Sequence, residues 1–547
     1  VDSKKLLLAA GLSLAVLILW EWIVPKPVRP PPAQTTRSAS SATAPAPSAA
    51  PVEAAPVSEE AVSAREESLV TLENESIRAT FSNRGAILTS LILKRYKDGQ
   101  GRPLELVRAA APPAPRPFAL SFAGNEEATR RAAGALYAIE KRSGRELQFR
   151  FSEGSLAIAK EVRLLEGYLF DVKVSVSGPP YTLLAGSGLR NVTAKEKASS
   201  FVEPTTAIAT VDNGFERVRE DKATEPQTWL LPERGFAGLE DNYFLAVLLP
   251  RQASSARVFP VALPAAPPAK ATAAVAAGVT GNGTLSVRAY YGPKDLEILE
   301  GLNLGLERAV NLGWWGFGIV ARPLLLLLKW TYSWIGNYGL AILFVTLLIR
   351  IALFPLTHKS YSSMKKMQKL APKMNAIRDK YKKAKTDAAQ RAKMNQELMA
   401  LYQTEGYNPM SGCIPMLPQL PILIAFYNVL SRSIELRHAP FMLWIKDLSA
   451  VDPTYILVIV MIVTMYVQQA MTPSTLDPVQ KKIFMAMPVI WGFFLKDMPS
   501  GLVLYWLFSN VLTIFQQMLI KRMGNKDEVK PDPQRPGGAR VKKARAG

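Results

Sequence analysis

Arg350 lies within an apolar run at residues 337–356, eight residues ahead of His358. On a helix rising 1.5 Å per residue it would stand about 12 Å deeper than that histidine. A cation near the centre of a bilayer costs about 3 kcal/mol on insertion scales, and more on an isolated helix. The apolar runs at 413–431, 454–471, 483–496 and 501–520 contain no Asp or Glu, so water is the expected partner. Polar residues that could line such water recur at helical spacing. Tyr505, Ser509, Thr513 and Gln516 follow i, i+4, i+8, i+11 on one stripe, and Thr346 precedes Arg350 by four. Gln419, with Thr464 and Gln468 four residues apart, could complete the ring. The predicted site is a hydrated intramembrane cavity open to the cytoplasm, with Arg350 at its centre. Two plainer readings stay open: Arg350 could snorkel through a thinned leaflet, and the Tyr505 stripe could be glue between helices.

Little else in the chain could do chemistry. One cysteine, Cys413, leaves no partner for an intramolecular disulfide, and two histidines, His358 and His438, do not make a metal cluster. Each histidine sits at the edge of an apolar run, so neither a catalytic residue, a metal nor a cofactor is expected.

The elements that must hold Arg350 follow from composition. The 547 residues carry a net charge of +21, and a mean hydropathy of +0.07 averages polar stretches with very apolar ones. Lys4 and Lys5 precede an apolar run closed by Trp20 and Trp22, so residues 1–24 read as an uncleaved signal anchor with its N-terminus inside. Residues 25–65 are a Pro/Ala/Ser linker. From 66 to 300 the period changes to two: Leu147, Phe149 and Phe151 alternate with polar partners, as do Phe170, Val172, Val174 and Val176 with Asp171, Lys173, Ser175 and Ser177. That pattern predicts a large all-β sandwich beyond the membrane.

Residues 312–334 are interrupted by Arg322, Pro323 and Lys329 and crowded with tryptophan, which predicts an amphipathic helix in the outer interface. The spans then fall at 337–356, 413–431, 454–471, 483–496 and 501–520, six crossings with both ends cytoplasmic. Residues 355–405 carry 12 Lys/Arg against 4 acids, and 521–547 carry 9 against 3, which places both inside. The apolar part of the fifth span is only 13 residues, short enough to thin the bilayer locally.

Within 357–405, Met364, Met367, Leu370, Met374, Ile377 and Tyr381 recur at three and four, and Met394, Leu398, Leu401 and Tyr402 do so again. Two antiparallel helices are expected, with a polar turn and a cap at Thr386 or Asp387. Met364, Met367 and Met374 form an adaptable apolar face for a substrate, or simply pack within the hairpin. The tail residues Lys521, Arg522, Arg540, Lys542, Lys543 and Arg545 could attract ribosomal RNA or only signal topology.

Three stretches carry a likeness to a known family: Arg350 with Phe354-Pro355-Leu356-Thr357; Asn408-Pro409-Met410-Ser411-Gly412-Cys413-Ile414-Pro415 with Gln419 and Pro421; and Pro499-Ser500-Gly501-Leu502-Val503-Leu504-Tyr505-Trp506 with Ser509 and Asn510. With Leu436-Arg437-His438-Ala439-Pro440-Phe441 and Asp447-Leu448-Ser449, the chain resembles the YidC/Oxa/Alb insertases in their long Gram-negative form. The resemblance implies a polytopic α-helical membrane protein, six transmembrane helices with a five-helix insertase core, plus a periplasmic β-supersandwich similar to sugar mutarotases. It places the groove arginine on Arg350, a polar groove position on Thr346 and a substrate-facing tyrosine on Tyr505. Ser411 stands where glycine is common, and Lys496 and Asp497 make the outer turn more polar than usual.

The expected function is a non-enzymatic insertase and chaperone. Nascent membrane proteins would enter the groove and leave to the lipid bilayer, alone or with the Sec translocon, and the tail would meet the ribosome. No small-molecule substrate is expected. The alternative is a secondary transporter binding an anionic solute at Arg350, but such proteins show internal repeats and none is visible here. A membrane-anchored sugar enzyme is opposed by the absence of histidine before position 358.

Overall fold

The computed structural model describes residues 62–108, 114–192, 203–212, 214–263, 272–313, 318–381, 387–405, 416–472 and 478–527. The expected anchor at 1–24, most of the linker at 25–65, Cys413 with the stretch around it, and Arg540, Lys542, Lys543 and Arg545 lie outside the described residues.

Strands from Leu69 to Pro293 form antiparallel sheets of four, five and nine strands. The nine-stranded sheet runs from Ala138–Ser143 through Leu169–Ser177 and Thr284–Pro293 to Gly214–Arg219 at its far edge. Alternation explains why: Phe170, Val172, Val174 and Val176 are buried while Lys173 and Ser177 face out. Asp171, on the outer face, pairs with Arg251 at 2.8 Å and Arg288 at 3.1 Å. Phe81, Phe118, Phe149, Phe170 and Tyr291 meet in one aromatic core, each burial contributing on the order of 2 kcal/mol. Gln148 departs from the alternation. It is buried because its amide accepts from Arg142 and donates to Glu161 at 3.3 Å. One short helix, α1 (Glu126–Gly134), enters this region, capped by the Asn125 side chain accepting from Ala128 N at 2.9 Å.

Lys160 is fully buried in the β-domain, where its ammonium donates to the carbonyls of Gly85 at 2.9 Å, Ala86 at 3.1 Å and Phe118 at 2.9 Å. Three acceptors match three ammonium hydrogens. Gly85, Ala86 and Phe118 all have φ between 49° and 73°, so the lysine ties together two left-handed turns.

Nine helices follow among the described residues: α2 (Leu296–Gly301), α3 (Gly318–Ile335), α4 (Tyr338–Ala352), α5 (Phe354–Lys380), α6 (Ala388–Thr404), α7 (Met416–Arg432), α8 (Ile456–Met471), α9 (Pro478–Leu495) and α10 (Ser500–Asp527). Asn337 starts α4, its side chain accepting from Leu340 N at 3.0 Å. Where one helix was expected through residue 356, α4 ends at Ala352 and α5 departs at 60°. Pro355 is the cause: it has no N–H and would clash with the carbonyl of Ile351, so it is accommodated in the first turn of a new helix. The straight path behind the 12 Å depth of Arg350 is therefore absent.

Two other boundaries move. α9 runs 18 residues, because Pro478 and the polar residues before Ile483 join its first turns, so the expected 13-residue span is the apolar part of a longer helix. α10 extends seven residues past position 520, and Lys521 and Arg522 are exposed on it.

Ala341, Ile342 and Val345 of α4, Phe426 and Val429 of α7, Met461 of α8 and Tyr505 of α10 share one buried core with Leu324 and Leu328 of α3. Gly339 permits this packing, since a Cβ there would lie 2.0 Å from the Phe441 ring. Val489, Phe493, Phe494, Ile459 and Phe515 stay exposed as an apolar outer surface. Among the described residues Ser500–Arg522 is the one unbroken helix long and apolar enough to cross a bilayer, and Ile456–Met471 is a shorter apolar helix.

Candidate functional site: a polar seam around Arg350

Arg350 occupies the last turn of α4, half-buried, where the negative end of the helix dipole favours a cation. Its Nε donates to the Ser509 hydroxyl at 3.1 Å, and Nη2 reaches the same oxygen. No carboxylate lies in ion-pair range of Arg350 among the described residues. Ser509, one member of the expected stripe on α10, meets the cation.

The other stripe members divide. Gln516 is buried and its amide donates to the Thr357 hydroxyl of α5, one bend beyond Arg350. Thr513 is half-buried with its hydroxyl returned to Ser509 O at 2.8 Å. Tyr505 is only 2% exposed: it stacks on Phe426 at 4.1 Å and accepts from Gln419 Nε2 at 2.6 Å. Thr346 is buried and gives its hydroxyl to Ile342 O at 2.6 Å, one turn back on its own helix. Thr346 and Tyr505 are thus packed within the helix core, where the sequence placed them on an open wall. Thr464 is half-buried and likewise returns its hydroxyl to Met461 O, and Gln468 is half-buried beside it.

The sequence reading missed a second seam between α8 and α10. Gln517 Nε2 donates to the Thr472 hydroxyl at 3.0 Å, and Gln469 and Asn510 present buried polar atoms. Gln517, Gln469 and Asn510 each lie one residue from a residue of the expected groove, about 100° round the helix. The signal was the density of Gln and Asn in α8 and α10, read as one stripe instead of two.

Below the seam, α5 and α6 form the expected antiparallel pair. Asp387 is the cap, accepting from Ala389 N at 2.8 Å and Gln390 N at 3.4 Å. Lys373 pairs with Glu405 at 2.6 Å, and Lys380 and Tyr381 both reach Glu397. Met374 is buried against Tyr402, whose hydroxyl lies 3.9 Å from its sulfur, so it packs inside the hairpin. Met364 and Met367 are half-buried.

Above the seam, His438 is structural. Its Nδ1 lies 2.8 Å from Asp447, which also accepts from Ser449 N and Oγ, while Ser500 Oγ donates to the Asp447 carbonyl at 2.8 Å. Burial opposes the Asp447 charge, but the hydrogen bonds from His438 and Ser449 outweigh it and hold this carboxyl below its usual range. The network ties the loop at 438–449 to the start of α10.

A large antiparallel β-domain is thus joined to an apolar helical region that carries a polar seam. Residues 330–527 match the 60Kd inner membrane protein family, and residues 69–327 match the YidC periplasmic domain. The chain belongs to the YidC family. A membrane protein insertase YidC of Geobacter metallireducens is 36% identical over 559 residues, covering 95% of this chain and 98% of the relative. That of Geobacter sulfurreducens is 37% identical, covering 82% and 86%. A crystal structure of an active YidC insertase with its first transmembrane domain resolved is 19% identical, with a TM-score of 0.37 over 83% of this chain and 93% of that one. A galactose mutarotase related enzyme from Lactobacillus acidophilus is 12% identical, with a TM-score of 0.30 over 41% of this chain and 97% of its own.

Proposed function

We infer that this chain is a membrane protein insertase of the inner membrane with a periplasmic β-domain, acting on nascent membrane proteins. It is not an enzyme; it supplies a path, not a reaction. The observation that carries the route is Arg350, half-buried, tethered by a hydroxyl and paired with no acid among the described residues. Its charge is left free to draw an acidic or polar flank inward from the cytoplasm. Hydrophobic partition then moves the apolar segment past exposed Phe493 and Phe494 into lipid.

In this reading residues 1–24, α4, α7, α8, α9 and α10 are six spans with both termini cytoplasmic. The basic α5–α6 hairpin and the exposed Lys521 and Arg522 support that orientation. α3 lies in the periplasmic interface, where exposed Trp330 and Trp334, tilted against each other with ring centres 5.2 Å apart, form a belt. The groove is walled by the half-buried Gln419, Thr464, Gln468 and Thr513, with Ser509 and Gln516 buried behind them. Met364 and Met367 receive the incoming segment. The tail holds ribosomal RNA through phosphate contacts, and the chain acts alone or with the Sec translocon.

The test is photocrosslinking from Gln419 and Thr513, both half-buried, to stalled nascent chains of graded length. Adducts confined to a window of chain lengths are expected. A uniform absence of adducts, with uptake of an anionic solute into proteoliposomes, would replace the insertase with a transporter.

A further inference from the structure

The β-domain is joined to the helices at one charged seam, and the joint centres on the end of α7. Asn242 is buried and bonded on both sides: Oδ1 accepts from Glu203 N at 2.8 Å, and Nδ2 donates to the carbonyl of Ser431 at 3.1 Å, across 189 residues. One residue on, Arg432 donates to Glu203 at 3.1 Å and to Asn311 O at 3.2 Å. Arg437 reaches Lys97 O at 2.8 Å and lies over the rings of Tyr243 and Phe244 at 5.7 and 5.6 Å. The charged contacts share one polarity, with cations on the helical side and acceptors on the β side. Arg322 to Glu300 at 2.6 Å and Lys329 to Glu297 at 3.0 Å repeat it where the chain leaves the last strand.

α7 also carries the residues that fix Tyr505. Phe426 stacks on that ring and Gln419 bonds its hydroxyl, six and thirteen residues before Arg432. Tyr505 is one helical turn from Ser509, the tether of Arg350. One helix therefore touches the β-domain at one end and the packing of Tyr505 at the other.

We propose that Asn242 and Arg432 are positioning residues that pin the β-domain to the end of α7 and thereby set the place of Gln419 in the groove and of the buried Tyr505 that it bonds. The inference rests on the insertase reading for its effect on activity, and on geometry alone for the pin. An exposed ion pair such as Arg432–Glu203 is weak singly. The buried Asn242 supplies what the exposed pair lacks, because losing it leaves the Glu203 amide and the Ser431 carbonyl without their partner. A cavity of about 260 Å³ remains inside the joint beside Arg217, Glu240 and Lys294, so salt reaches the pair.

The experiment uses the full chain in nanodiscs, with Cys413→Ser and spin labels at Leu230→Cys and Leu443→Cys, both exposed. Pulsed EPR reads the distance distribution between β-domain and helical region, and proteoliposomes read insertion. Arg432→Glu and Asn242→Leu should each broaden the distribution and lower insertion three- to tenfold. Glu203→Arg should repair Arg432→Glu in both readouts, which a general folding defect would not allow. An unchanged distribution in both single variants, or a charge swap that repairs nothing, overturns the pin. Broadening with no change in insertion keeps the pin and overturns its coupling to the groove. A wild-type chain that inserts nothing overturns the insertase reading, while the distances still judge the pin.

Discussion

Arg350 Nε donates to the Ser509 hydroxyl at 3.1 Å, joining the last turn of α4 to the middle of α10 across 159 residues. A neutral hydroxyl orients the guanidinium without cancelling its charge. An acid in the same place would hold it more firmly and end its usefulness. Ser509→Asp is therefore expected to raise thermal stability in detergent and cut insertion at least tenfold. Arg350→Lys, which keeps charge but loses the planar fork, should retain more activity than Arg350→Ala. Insertion of a reporter with an acidic flank checks all three, and full activity in Ser509→Asp would remove the electrostatic role.

Tyr505 combines a stack and a hydrogen bond that substitution can separate. Tyr505→Phe keeps the ring on Phe426 and loses the Gln419 bond, costing about 1 kcal/mol. Tyr505→Ala opens a cavity in the helix core and should cost about 3–5 kcal/mol. Thermal unfolding of the two variants in one detergent gives the comparison. Equal losses would mean that the ring is not packed as described.

Lys160 makes the stability of the β-domain depend on pH. Burial pushes this lysine down to about 7, from about 10.4 in an unfolded chain, against the three carbonyls, which favour the ammonium. Between those values the unfolded chain binds more protons than the folded one. Stability therefore rises with pH through that window, and is lost as pH falls towards 7. Lys160→Met should abolish this slope while leaving three buried carbonyls without their partner, a cost of about 1–3 kcal/mol for each. Unfolding of the full chain followed from pH 7 to pH 10 tests both.

The hairpin offers a local test. Asp387→Ala removes the cap of α6 and should destabilise its first turn by about 1 kcal/mol. Hydrogen exchange at residues 388–391 should accelerate several-fold, with α10 unaffected. Met374→Ala should loosen the α5–α6 pair, whereas Met364→Ala should leave it intact and weaken substrate crosslinking. Equal exchange in the two methionine variants would contradict the burial of Met374.

What the sequence determined is what depends on neighbours along the chain. Period two foretold the buried faces at Phe170–Val176, period 3.6 foretold both hairpin helices, and a short polar side chain marked the cap at Asp387. The lack of acids in the apolar runs was likewise legible, and Arg350 has none in range among the described residues. Tertiary structure decided which polar residues stay open. Thr346 turns to its own backbone, Tyr505 lies on Phe426, Met374 meets Tyr402, and Pro355 bends the path below Arg350. A stripe has a direction only once a neighbouring helix arrives. The contacts that supply it join residues 86, 159 and 189 positions apart, and no local period encodes those.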